Sequence, residues 1–406
     1  MTAIYILGFA GILLLIGFLA DYLFRKTSFP DILILLALGY LIGPVFHIVD
    51  PSQIAPASQV IGSFALVIIL FNGGLGLEFA KVLTGALRAT FLALLGFGAS
   101  MAVTAAFAYY LLGWALMHSL LLGAIIGGTT SAIVIPLVDR ARVPTEVSSV
   151  LNLESAFTDA LVIVIALVIL EVINAGETGI ELSAVGQAIG IRFLIGIVIG
   201  AAVGFLWLWI LTRIEGEIYD DILTLAMLFL LFFGVERING SGAIFALVFG
   251  IILGNGMKFT KLMKMSRKPQ IEEMTKKFYV QLAFLIKTFF FVYLGLMLTF
   301  GKLGIIVDGI VLSLLLLFAR YIVVLLTSAG SRVLWANKGV LTTMLPRGLS
   351  AAVVAQMVVA YGISNASDYS NIVAVTIIAT IVISSIGILI FARKYRHVES
   401  GFRDIT

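Results

Sequence analysis

The residues with most chemistry to offer stand in Leu151-Asn-Leu-Glu-Ser-Ala-Phe-Thr-Asp-Ala-Leu161, which runs on into VIVIALVIL. The stretch opens an apolar run long enough to cross a bilayer, yet it carries Glu154 and Asp159 within its first three turns. A carboxylate at membrane depth costs several kcal/mol and is by default a candidate functional group. On a helix, Ser155 and Asp159 are four residues apart and share one face, while Glu154 and Thr158 share the adjacent one. A hydroxyl stacked under a carboxylate is half of an oxygen shell for a small hard cation. Just upstream, Gly127-Gly-Thr-Thr-Ser-Ala-Ile-Val-Ile-Pro136 is apolar but interrupted by glycine, hydroxyl residues and proline. That is the composition of a discontinuous helix, whose freed carbonyls and hydroxyls can face an ion. The two stretches read as one ion site, with Thr129, Thr130 and Ser131 offering hydroxyls at the break.

Asp159 is the centre of that reading. Desolvation disfavours the charged form of a carboxylate, so one acid in low dielectric can hold either a proton or one monovalent cation. The bland alternative is a structural acid paired with a base. Glu154 lies off the Ser155/Asp159 face and needs a cationic partner. Arg320, alone in an apolar run, has the converse need, so a structural Glu154–Arg320 bridge is expected, with Arg347 as the competing partner. Lys287 is expected to snorkel toward the cytoplasmic face, with charge compensation near Asp159 as the sharper option. Asn72, in Leu70-Phe-Asn-Gly-Gly-Leu-Gly-Leu-Glu78, sits in a glycine-rich segment suited to close helix packing.

The rest of the chain must position these groups in a membrane. With 61% hydrophobic and 12% charged residues and a mean hydropathy of +1.15, it lies far outside the range of soluble domains. The absence of cysteine excludes disulfides, thiolate metal sites and cysteine nucleophiles. His47, His118 and His397 are too widely spaced for a metal cluster. The net charge of +4 does not indicate nucleic acid; its distribution has a topological reading.

With about 20 apolar residues per span, thirteen spans are expected, near 3–20, 31–48, 58–77, 88–112, 116–138, 150–173, 185–212, 221–236, 241–255, 279–300, 303–327, 339–361 and 369–392. Placing the N-terminus outside puts twenty of the 26 Lys and Arg in cytoplasmic loops and the tail, against Arg237 and Lys302 outside. That is a strong positive-inside bias, and it puts the C-terminus in the cytoplasm. The basic loop 256–278 reads as a cytoplasmic connector or a lipid-attracted linker, and 393–406 as a short cytoplasmic tail. The first apolar segment lacks signal-peptide features and is expected to be retained. Nothing resembles a nucleotide-binding fingerprint. The interrupted fifth span has a counterpart in the twelfth, Met344-Leu-Pro-Arg-Gly-Leu-Ser-Ala-Ala352. The two correspond if 3–173 and 221–392 are six-span repeats joined by a linking helix at 185–212. An odd offset makes such repeats inverted, and paired broken segments point to a transporter's binding site.

These residues resemble the monovalent cation:proton antiporter superfamily, most closely its sodium/proton exchanger branch, over essentially the whole chain. The carriers are FNGGLGLE, GGTTSAIVIP, LNLESAFTD, FFFVYLGL, Arg320 and LPRGLSAA. The resemblance implies an all-α fold of thirteen membrane helices in two inverted repeats with crossed discontinuous helices. It also implies a homodimer in the cytoplasmic membrane and elevator-like alternation without a cofactor. It gives Asp159 as the group that binds ion and proton, Ser155 as a neighbouring ligand, Thr129 and Thr130 at the crossing, and Glu154 with Arg320 as a structural pair. Two departures bear on the ion. Thr158 stands where the electroneutral branch has Asn, and Thr-Thr-Ser stands where sodium exchangers often carry an aspartate. A weaker field leaves both Na⁺ and K⁺ open. The expected function is Na⁺ (or K⁺)/H⁺ antiport, one for one. The rivals are a sodium-coupled symporter of an organic anion, a channel and, in the enzyme class, an intramembrane hydrolase, for which no nucleophile–histidine pairing exists.

Overall fold

Apolar runs that must satisfy every backbone polar group without water form helices, and the computed structural model is all-helical among its described residues. Those are 3–27, 30–48, 64, 67–68, 70–76, 87–176, 182–214, 220–256, 259, 273–298, 303–363 and 366–391. The helices are α1 (Ala3–Thr27), α2 (Asp31–Tyr40), α3 (Leu87–Tyr110), α4 (Leu116–Ile126), α5 (Ser131–Ala141), α6 (Thr145–Gly176), α7 (Leu182–Ile214), α8 (Asp220–Arg237), α9 (Gly242–Gly254), α10 (Glu273–Met297), α11 (Leu303–Thr327), α12 (Arg332–Ala336), α13 (Lys338–Thr343), α14 (Leu349–Ala360) and α15 (Ala366–Phe391). Among the described residues, six helical segments are long and apolar enough to cross a membrane. The expected third span is described only in part. Most of the basic loop 256–278 and the tail beyond 391 lie outside the described residues.

Two expected spans are interrupted. Residues 127–130 separate α4 from α5, and residues 344–348 separate α13 from α14. Glycine weakens helix on one side of each break, and Pro346 cannot donate to a ladder on the other. Pro136 belongs to the same motif, yet α5 continues through it to Ala141. The break is thus made by Gly127-Gly128 rather than by the proline. Pro44 acts differently again: after α2 the chain widens into a π turn (Leu41–Val45), with Phe46 N–H donating to the Leu41 carbonyl at 2.9 Å.

The chain divides into two compact units. The first comprises Met1–Val60, Gly85–Ala166 and Lys287–Thr406. Within it α3 packs along α4 and α11, α11 along α15, and α13 and α14 along α15. The second comprises Ile61–Thr84 and Leu167–Ile286. Here α7 lies against α9 through Gly196, Gly200 and Gly204, whose Cα atoms leave no room for a Cβ beside Ser241, Phe245 and Ile252. Small residues every fourth position let membrane helices approach closely.

Each unit also holds a tight crossing at paired glycines, and the two are built alike. In the first, a Cβ on Gly39 would fall on the Val292 carbonyl oxygen, and one on Gly295 on the Leu36 carbonyl oxygen. In the second, a Cβ on Gly250 would fall on the Phe71 carbonyl oxygen, and one on Gly74 on the Leu247 carbonyl oxygen. One turn on, Gly43 meets Leu296 and Gly254 meets Leu75. Gly39-Tyr-Leu-Ile-Gly43 and Gly250-Ile-Ile-Leu-Gly254 share the same spacing.

Candidate ion site at the crossed helix breaks

All the groups around Asp159 lie within the first unit. The two breaks touch directly: Thr130 N–H donates to the Pro346 carbonyl at 2.9 Å, and Gly348 is glycine because a Cβ there would sit 2.5 Å from Thr130 Cγ2. Asp159, on α6, faces the start of both new half-helices. Its Oδ2 accepts from Ser131 N–H at 3.0 Å and from Ser131 Oγ–H at 2.8 Å. Its Oδ1 accepts from Ser350 Oγ–H at 2.8 Å. The carboxylate therefore meets the positive end of α5, where unpaired amides gather, and one hydroxyl from each broken helix. Asp159 is only partly buried, and no basic side chain pairs with it among the described residues.

The opposite polarity is met by the opposite charge. The last carbonyls of α4 are free because the helix stops, and Arg347 fills that place. Its Nη1 donates to the Gly127 carbonyl at 3.1 Å and to the Gly128 carbonyl, and its Nη2 donates to Ser100 Oγ at 3.1 Å. The guanidinium is 2% exposed, so these contacts stand in for hydration. On α15, Thr380 and Ser384 accept from the Arg347 and Leu345 amides at 3.1 and 3.3 Å, satisfying the unwound stretch.

Thr129 and Thr158 form a closed pair. Thr129 N–H donates to Thr158 Oγ1 at 3.0 Å, and Thr158 Oγ–H donates back to the Thr129 carbonyl at 3.1 Å. Thr158 thus ties α6 to the first break. Ser155 is fully buried, and its hydroxyl donates to the Asn152 carbonyl at 3.1 Å within its own helix. Glu154 is paired with Arg320, not Arg347: a two-pronged contact at 2.6 and 2.8 Å with both partners buried. Arg320 Nε donates in addition to the Leu341 carbonyl of α13 at 2.8 Å. Such forked pairs fix geometry as well as charge.

Lys287 has a partner that the sequence did not suggest: its ammonium is ion-paired with Asp31, which is 2% exposed. Asn72 lies in the second unit, where its amide donates to the Tyr279 carbonyl at 3.3 Å. Sequence reasoning left out Ser350, Asp31, Ser100, Thr380 and Ser384. The hydroxyl pair at i, i+4 in an otherwise apolar span was the available signal for the last two.

A family model described as sodium/hydrogen exchanger, transmembrane, matches residues 11–394. A probable Na⁺/H⁺ antiporter of Methanocaldococcus jannaschii is 27% identical over 73% of this chain and 70% of its own length. A K⁺/H⁺ antiporter, NhaP2, of Shewanella oneidensis is 27% identical over 91% of this chain, which spans 63% of that longer protein. The sodium proton antiporter MjNhaP1 of Methanocaldococcus jannaschii superposes with a TM-score of 0.75 at 23% identity, covering 97% of both chains. The fold is shared with that transporter. Its relatives are membrane transporters and not enzymes, and a chain matched from residue 11 to residue 394 belongs to the sodium/hydrogen exchanger family of multi-pass membrane proteins.

Proposed function

We propose that this chain is a secondary-active antiporter exchanging Na⁺ or K⁺ for H⁺, with Asp159 as the shared carrier. One observation carries the reading: a partly buried carboxylate with no basic partner among the described residues sits where two interrupted helices present hydroxyls and a helix N-terminus. The only ligands this requires are the cation and the proton. A proton on Asp159 or a cation beside it each neutralises the same charge, so the two compete and transport is coupled. Ser131, Ser350, Thr129, Thr130 and Ser155 supply the neutral oxygens around the ion. Glu154–Arg320 and Arg347 hold α6, α11 and the two breaks in register. One site carboxylate makes the exchange one for one and electroneutral.

The finer architecture belongs to the same proposal: thirteen spans, repeats over 3–173 and 221–392 about a linking helix at 185–212, a homodimer, and elevator-like alternation in the cytoplasmic membrane. The matching glycine crossings support the inverted repeats. Under a two-fold exchange of halves, the second span maps on the ninth and the tenth on the third. The Gly39/Gly295 contact then becomes the Gly250/Gly74 contact, carbonyl for carbonyl.

The test is proton movement in proteoliposomes holding the purified chain, titrated with Na⁺, Li⁺ and K⁺. Expected is cation-driven proton release that does not scale with an imposed membrane potential. Asp159→Asn should abolish it while keeping the elution position and thermal midpoint of the parent. Exchange persisting in Asp159→Asn would remove it as carrier, and a potential-dependent rate would remove electroneutrality.

A further inference from the structure

A groove of about 650 Å³ lies on the first unit, away from Asp159, lined by α11, α13 and the end of α15. One wall is the α11 stripe Leu314, Leu317, Phe318 and Tyr321, spaced three and four apart so that all face one side. Leu314 and Phe318 are 56% and 64% exposed, and this apolar exposure on a membrane helix marks a face turned to lipid. Phe391 closes the far end. The opposite wall is α13, which contributes two polar side chains without a hydrogen-bonded or charged partner among the described residues.

The first is Lys338. Its ammonium rests over the Trp335 ring at 4.6 Å, and no carboxylate pairs with it among the described residues. The second is Thr342, which lies one turn deeper and is 8% exposed. Its hydroxyl has no hydrogen-bond partner. Its oxygen has no accessible surface, so it stands behind the groove wall and is not offered to a ligand. The groove thus offers a cation beside an indole and, along α11, a largely apolar wall.

We propose that this groove binds one anionic glycerophospholipid, with its phosphate on Lys338 and an acyl chain along the α11 stripe. A cation beside a long apolar wall matches the anionic headgroup and acyl chain of that molecule. A zwitterionic lipid offers the same chain and ester but carries a cationic headgroup that Lys338 repels. The position gives the lipid a route to the ion site. α13 leads straight into the second break, and its Leu341 carbonyl accepts from Arg320, the partner of Glu154. A lipid wedged between α11 and α13 braces that contact.

The experiment is native mass spectrometry of the full chain released from detergent with equimolar phosphatidylglycerol and phosphatidylcholine. Expected is preferential retention of one phosphatidylglycerol, falling about fivefold in Lys338→Gln. Added glycerol 3-phosphate should not displace it, because the apolar wall does half the binding. Equal retention of the two lipids, or full retention in Lys338→Gln, overturns the proposal. So does a change of oligomeric state in Lys338→Gln with lipid retention intact, which would make the groove a face between copies. Lipid retention is read without any transport assay, so its failure is distinct from failure of the antiport reading.

Discussion

At the residue scale the site turns on how one carboxylate is held. Ser131 grips one oxygen of Asp159 with its amide and hydroxyl, and Ser350 grips the other. A hydrogen bond to a charged group contributes about 1.5–3 kcal/mol, and a rotated hydroxyl can turn its lone pair to a cation. Ser350→Ala should therefore raise the KM for the driving cation about tenfold with little change in kcat, and Ser350→Thr should restore it. A cation titration of exchange decides this: a KM within twofold of the parent for Na⁺, Li⁺ and K⁺ would leave Ser350 with no part in the site. Asp159 and Ser131 could be read from the sequence because a carboxylate and a broken helix are both anomalies in an apolar run. Ser350 could not, since a serine in a membrane helix more often bonds its own backbone. The Glu154–Arg320 pair was legible because two buried opposite charges each need a partner. Asp31 was not, because at the head of a span an acid reads as wet, and its partner Lys287 is 256 positions away.

At the element scale the sequence marks where helices stop but not what the stops touch. Gly127-Gly128 and Pro346 located both breaks; the Thr130–Pro346 bond and the Arg347 plug on the α4 carbonyls are tertiary facts with no local signature. The glycine motifs are intermediate. FNGGLGLE suggested close packing, and only the structure shows that Gly74 and Gly295 occupy matching places against Gly250 and Gly39. Equivalence has an energetic consequence. Adding a methyl at either crossing drives it into a backbone carbonyl, which cannot move as a side-chain tip can, and overpacking of this kind costs about 1–3 kcal/mol. Gly39→Ala and Gly250→Ala should each lower the thermal unfolding midpoint in detergent, and by similar amounts. Gly98→Ala, exposed and with nothing near its Cβ, should leave it unchanged. A drop for one crossing alone would break the proposed correspondence of the halves.

At the scale of the whole molecule, the proposed topology rests on lysine and arginine counts and not on packing. In the proposed thirteen-span arrangement twenty basic residues would lie on one side against two on the other. The division into two units, by contrast, has no sequence mark. It cuts through α6 at Ala166 and through α10 at Ile286, mid-helix, where hydropathy is continuous. The chain's lack of cysteine makes the proposed orientation directly measurable. Tyr110 and Tyr361, both exposed at helix ends, stand at span ends assigned to the outside; Arg332, exposed at the start of α12, falls inside. Single cysteines at these three positions should divide cleanly. Tyr110→Cys and Tyr361→Cys should react in intact cells with a charged, membrane-impermeant maleimide, and Arg332→Cys only after permeabilisation. Tyr110 and Tyr361 lie in opposite proposed repeats, so labelling of both from outside requires an even number of crossings between them, eight if the breaks at 127–130 and 344–348 each lie within one span. Labelling of Tyr361→Cys from the cytoplasmic side alone would mean an odd number of crossings, and the two halves could then no longer be related by inversion.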